Sequence, residues 1–105
     1  LGMALAARAQ GKTLQQHIAV IGDGALTGGL AYEALNQAAT EKVNLLVVLN
    51  DNAMSIDPNV GGMQQHLNRL RLTPNERPSV FEKLGVPYFG PVDGHDLPAL
   101  LQALQ

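Results

Sequence analysis

Two runs of consecutive apolar residues organise this chain: Ile18-Ala19-Val20-Ile21 and Leu45-Leu46-Val47-Val48-Leu49. Short apolar runs rich in β-branched residues and bounded by Gly, Asp and Asn read as buried strands, here about 17–21 and 44–49. Between them Leu30, Ala31, Ala34, Leu35 and Ala38 recur at helical spacing and predict a helix over about 27–39. A small-residue helix is expected over about 1–10, with Gly11 as its C-terminal cap. The stretch 51–62, with its Asn, Asp, Pro and Gly, reads as a loop and 63–72 as a short helix. Residues 73–78 form a polar, proline-bounded connector. Ser79 with Glu82 three residues later predicts a capping box and a helix over 80–84. A third strand is expected over 86–89, and Asp96 or Asp93 caps a last helix. Alternating strands and helices, with strands apolar on both sides, imply a parallel sheet with helices on both faces. The expected class is therefore α/β, a three-layer fold that this chain holds incompletely.

The two ends shape the domain reading. Leu1 to Arg8 reads as a helix already under way without a capping residue, and Leu97 to Gln105 as a helix that stops. Residues 1–105 are accordingly expected to be a single partial domain cut from a larger one. Composition narrows the function. Hydrophobic residues make up 46% and charged residues 15%, enough for a core and too little charge for disorder. A net charge of −2, no basic stripe and no Trp give nucleic acid or an anionic membrane nothing to hold. No apolar run reaches the roughly 20 residues of a membrane span. The absence of cysteine excludes disulfides and thiolate metal sites, and a cytoplasmic setting is expected.

The candidate chemistry sits where the apolar runs stop. Gly22-Asp23-Gly24 follows the first and Asn50-Asp51-Asn52 the second, with Asp23 and Asn52 29 positions apart (52 − 23). One helix and one strand fill that gap, so both groups fall at the carboxyl ends of neighbouring parallel strands, the functional edge of such sheets. The glycines allow close backbone approach to a ligand, and Thr27-Gly28-Gly29 open a helix whose free N–H groups favour phosphate. An aspartate between those glycines repels phosphate unless a cation bridges the two. Asp23, the Asn52 amide oxygen and one loop carbonyl would give magnesium three of its six oxygens. Taken singly, Asp23 reads first as a helix cap and Asn52 as part of a turn; only the pairing of the two motifs points to a cation. No Lys-Ser or Lys-Thr follows the glycines, which excludes the phosphate-loop motif, and the glycine spacing excludes the dinucleotide fingerprint.

Gly22-Asp23-Gly24 through Asn52 resembles the thiamine diphosphate motif, which opens with Gly-Asp-Gly and closes with Asn. Three blocks, 22–38, 44–62 and 88–96, are similar in wording and order to the 1-deoxy-D-xylulose-5-phosphate synthases, relatives of transketolase. The resemblance covers about 1–62 and 81–105. It implies Asp23, the Asn52 side chain and the main-chain oxygen of Met54 as Mg²⁺ ligands. It implies Gly24, Ala25 and Asn52 against the cofactor diphosphate. It further implies thiamine diphosphate as cofactor and a homodimeric parent enzyme. That enzyme would condense pyruvate with glyceraldehyde 3-phosphate and release CO2, feeding isoprenoid, thiamine and pyridoxal biosynthesis. No catalytic residue is assigned within these 105 positions.

Three departures qualify the resemblance. Ala53 and Asp57 replace the Glu and Ser usual in the family. The segment about 66–79 is much shorter than the family's insertion. A His-containing segment is expected before Leu1, and the glutamate that activates the cofactor ring in a following domain. Alternative readings are another thiamine diphosphate enzyme, a transketolase or a 2-oxo acid dehydrogenase, or a non-catalytic binding relative. The remaining polar residues carry less. His17 is expected to be structural, His66 exposed, and His95 part of a turn. Tyr32 and Glu33 lie on the helix after the first motif, where packing or a solvated face explains them.

Overall fold

The structure is a computed structural model, and it describes residues 1–52, 60–73 and 78–105. Its elements run α1 (Gly2–Ala9), β1 (His17–Gly22), α2 (Asp23–Leu26), α3 (Gly29–Glu41), β2 (Leu45–Asn50), α4 (Gly62–Leu72), α5 (Val80–Lys83) and α6 (Leu97–Ala103). Both apolar runs are strands, and they pair in parallel from His17 with Leu45 through Gly22 with Asn50. The helix between them, α3, makes the crossover that parallel pairing requires.

Successive strand residues face opposite sides. Ile21, Val47 and Leu49 pack against a core built from Leu26 of α2, Leu35 of α3, Leu67 and Leu70 of α4, and Phe81 of α5. On the other face Ile18 and Val20 are 65% and 72% exposed, with Leu46 beside Ile18 in the register. The strands are apolar on both sides, but among the described residues only one side is covered. The observed fold is therefore a mixed helix–strand unit with a two-stranded parallel sheet.

Local sequence signals account for three of the helix ends. Gly11 follows α1 at φ +73, and the N–H groups of Gly11 and Lys12 donate to the carbonyls of Arg8 and Ala7 at 3.0 and 2.9 Å. That pair of bonds is a complete Schellman cap. Ser79 Oγ accepts from the Glu82 N–H at 3.2 Å, and the Glu82 carboxylate accepts from the Ser79 N–H at 2.8 Å. Asp96, rather than Asp93, caps α6 by accepting from the Ala99 N–H.

Three expectations are corrected. Residues 86–89 form no strand. Pro87 lacks the N–H a ladder needs, and Val86 and Tyr88 instead pack on the core, with the Tyr88 ring stacked on Phe81 at 5.6 Å between centroids. The helix expected over 27–39 begins at Gly29 and ends at Glu41, preceded by the separate turn α2. Leu30 is 81% exposed, because it lies at the edge of the apolar stripe whose members Ala31 and Leu35 pack on the core.

Candidate functional site

The parallel register brings the two motifs to one edge. Gly22 and Asn50 are direct partners at the ends of β1 and β2, and neighbouring strands lie about 4.8 Å apart. The chain therefore leaves the sheet at the same level twice, into Asp23-Gly24-Ala25 on one side and Asp51-Asn52 on the other. Asp23 is the first residue of α2 and is only 2% exposed. The cap position of that turn belongs to Gly22, which offers no side chain. Asp23 is thus a buried carboxylate at the carboxyl end of β1 and not the N-cap that its sequence context alone favours. Asn52 is exposed two residues beyond β2. Met54, Ala53 and Asp57 lie outside the described residues.

Gly22 is not required by its backbone angles. It is extended at φ −78 and ψ 154, a conformation any residue adopts. A Cβ there would meet nothing within 4 Å. The glycine leaves open space at the strand end, and that openness is the feature a ligand could use.

The turn itself is held by a residue that the sequence reading treated only as a helix opener. Thr27 Oγ1 donates to the Gly24 carbonyl at 2.7 Å, and the Thr27 N–H donates to the same oxygen at 3.2 Å. In a trans peptide C=O and N–H point in opposite directions. Fixing the Gly24 carbonyl toward Thr27 therefore aims the Ala25 N–H the other way, toward the start of the turn. The first N–H groups of any helical turn lack intrahelical acceptors. The signal for Thr27 was present in the sequence: a threonine three residues after a glycine can bond back to its carbonyl.

Among the described residues no group of three His, Cys, Asp or Glu converges, which excludes a zinc-type cluster there. Asp23 supplies one buried carboxylate at this edge.

The sequence profile described as 1-deoxy-D-xylulose-5-phosphate synthase matches residues 1–79 and 75–105. The chain belongs to the 1-deoxy-D-xylulose-5-phosphate synthase family. Proteins of that name from Thioalkalivibrio sulfidiphilus and Cytophaga hutchinsonii are each 44% identical to it, over 100% and 99% of its length. One from a Synechococcus species is 40% identical over the whole chain. The chain spans only 21% to 23% of these synthases. The first alignment runs over 138 positions against 105 residues here, an excess of 33 (138 − 105).

The other sequence candidates settle as follows. His66 is partly buried rather than exposed, and its Nε2 accepts from the Val80 N–H at 3.1 Å, tying α4 to the start of α5. His95 lies in the turn before α6, where its N–H donates to Asp93 Oδ1 at 2.9 Å. His17 opens β1, and its N–H donates to the Asn44 carbonyl at 3.1 Å. Tyr32 is partly buried and Glu33 exposed on α3. Among the described residues no helix is long and apolar enough to cross a membrane.

Proposed function

We propose that this chain is the diphosphate-anchoring part of a thiamine diphosphate-dependent synthase. The longer enzyme would join pyruvate to glyceraldehyde 3-phosphate with loss of CO2, making 1-deoxy-D-xylulose 5-phosphate for isoprenoid, thiamine and pyridoxal biosynthesis. The observation that carries this reading is the buried Asp23 at the end of β1, level with the strand end that leads to Asn52. Asp23, the Asn52 side chain and the Met54 main-chain oxygen hold Mg²⁺. Gly24, Ala25 and Asn52 contact the diphosphate. Asp23 brings the negative charge that selects a cation, and the Gly24 and Ala25 N–H groups meet phosphate oxygens. The Thr27 hydroxyl orients the peptide between them.

The cofactor, when bound, supplies the stabilised carbanion that pyruvate decarboxylation requires. These residues orient its diphosphate end and play no part in proton transfer. The remaining layers of the sheet come from the rest of the enzyme. The exposed Ile18, Val20 and Leu46 support that reading, since apolar strand faces of this kind are normally covered. They are the basis for a three-layer thiamine diphosphate fold. The break between the two family-matched stretches at 75–79, with the 33 extra alignment positions, supports a connector shortened at about 66–79. A homodimer in the cytoplasm is the expected form of the complete enzyme.

The test is an assay of the full-length protein for CO2 release from pyruvate. Release that needs thiamine diphosphate, Mg²⁺ and glyceraldehyde 3-phosphate together is expected. Release with a different acceptor would reassign the substrate. Cofactor binding without release would make the protein a non-catalytic relative.

A further inference from the structure

The opposite end of the sheet holds a second feature. Where β1 and β2 begin, α1, the turn after it and the turn after α3 line a half-open cavity of about 150 Å³. Arg8, Lys12 and Lys42 line it, with Thr13, Gln15 and His17, and no acidic residue does. Arg8 is already engaged, its guanidinium 2.5 Å from the Glu41 carboxylate. Lys12 and Lys42 form no ion pair among the described residues, so the net charge at the cavity is positive.

Two further observations point to an occupant. His17 Nδ1 is buried and has no hydrogen-bond partner among the described residues. Buried polar atoms are nearly always satisfied by protein, water or ligand. Lys42 also ends α3 in the left-handed conformation, at φ 49 and ψ 44, where glycine is the ordinary residue. Side chains kept at such strained positions collect at functional sites.

We propose that this cavity binds a small oxyanion. Lys12 and Lys42 supply compact positive charges, and a ring N–H at His17 Nδ1 supplies a directed donor. The neutral ring can carry its proton on either nitrogen, so the occupant selects the tautomer. A phosphate group of a small molecule and a carboxylate from another part of the longer protein share this chemistry.

Amide TROSY NMR spectra of the full-length protein test the site, with inorganic phosphate replacing chloride at constant ionic strength. Saturable shifts are expected at Lys12, Gln15, His17 and Lys42 and in the His17 ring signals. Acetate serves as the second probe. A tighter response to phosphate assigns a phosphate ligand, and a tighter response to acetate assigns a carboxylate. Lys42→Gly removes one cation and relieves the left-handed strain together. It is expected to raise Tm while weakening anion binding about fivefold. The proposal is overturned by shifts that do not saturate, by shifts confined to Gly24 and Ala25, or by unchanged affinity in Lys42→Gly. The first of these outcomes would mean that the cavity holds only water.

Discussion

Gly22→Ala separates a glycine kept for the fold from one kept for a ligand. The backbone at Gly22 is extended, at φ −78 and ψ 154, and an added Cβ meets nothing within 4 Å. Alanine therefore fits without strain and removes chain entropy from the unfolded state, a gain of about 0.4–1 kcal/mol. For a chain of this size each kcal/mol moves Tm by about 4–8 °C, so a rise of roughly 2–8 °C is expected. The same methyl stands in the space that the diphosphate would enter. Forcing a group into a filled site costs about 1–3 kcal/mol, which is about 5- to 150-fold in affinity. Circular-dichroism melting of the chain reads the first effect. Calorimetric titration of the full-length protein with thiamine diphosphate at saturating Mg²⁺ reads the second. A fall in Tm would show that the fold needs glycine there. Unchanged affinity would show that the diphosphate does not approach through this opening.

Ser79 is fully buried and makes both bonds of its capping box with Glu82, so Ser79→Ala should cost about 1–2 kcal/mol and lower Tm. Phe81 joins α5 to the core formed with Leu67 and Leu70 and stacks on Tyr88. Phe81→Ala should cost about 3–5 kcal/mol, a large share of the roughly 5–15 kcal/mol available to a domain, and the urea midpoint reports it. The hydrogen bond from Arg8 holds the Glu41 carboxyl below its ordinary value of 4.5, outweighing desolvation with help from the Arg8 charge and a hydrogen bond from Gln37. A carboxyl lowered in the folded state stabilises at pH above the unfolded value, and the contribution is lost as pH falls through the folded one. The Tm difference between the wild type and Glu41→Gln should accordingly be present at neutral pH and vanish well below pH 4.5. It should also shrink in high salt, as the pair is solvent-exposed.

Much of this architecture was readable from local chemistry. The apolar runs at 18–21 and 45–49 are strands, as their β-branched composition predicts, although one face is uncovered, and the glycine and serine signals at Gly11 and Ser79 act over three to five residues. Pairing of the runs in parallel follows from the helix between them. The failures arose where tertiary context decides. Pro87 turned an apolar tetrapeptide into a packed segment without a ladder, a constraint already visible in the sequence. The break between α2 and α3 depends on Thr27 bonding back to Gly24, a contact that periodicity does not register. His66 found its partner fourteen positions away, at Val80. The candidate site was legible as a pair of motifs, and the register added that their strands end level with each other. The basic cavity was not legible at all, because Arg8, Lys12, His17 and Lys42 share no sequence pattern and meet only when the sheet edge forms.

The most direct measurement is the affinity of the full-length protein for thiamine diphosphate as a function of Mg²⁺, in the wild type and in Asp23→Ala. The wild type should bind the cofactor tightly only with the metal present. Without its buried carboxylate the variant should bind weakly at every Mg²⁺ concentration, because nothing then holds the cation against the diphosphate. Wild-type affinity and wild-type metal dependence in a folded Asp23→Ala protein would contradict the account and leave Asp23 a structural residue.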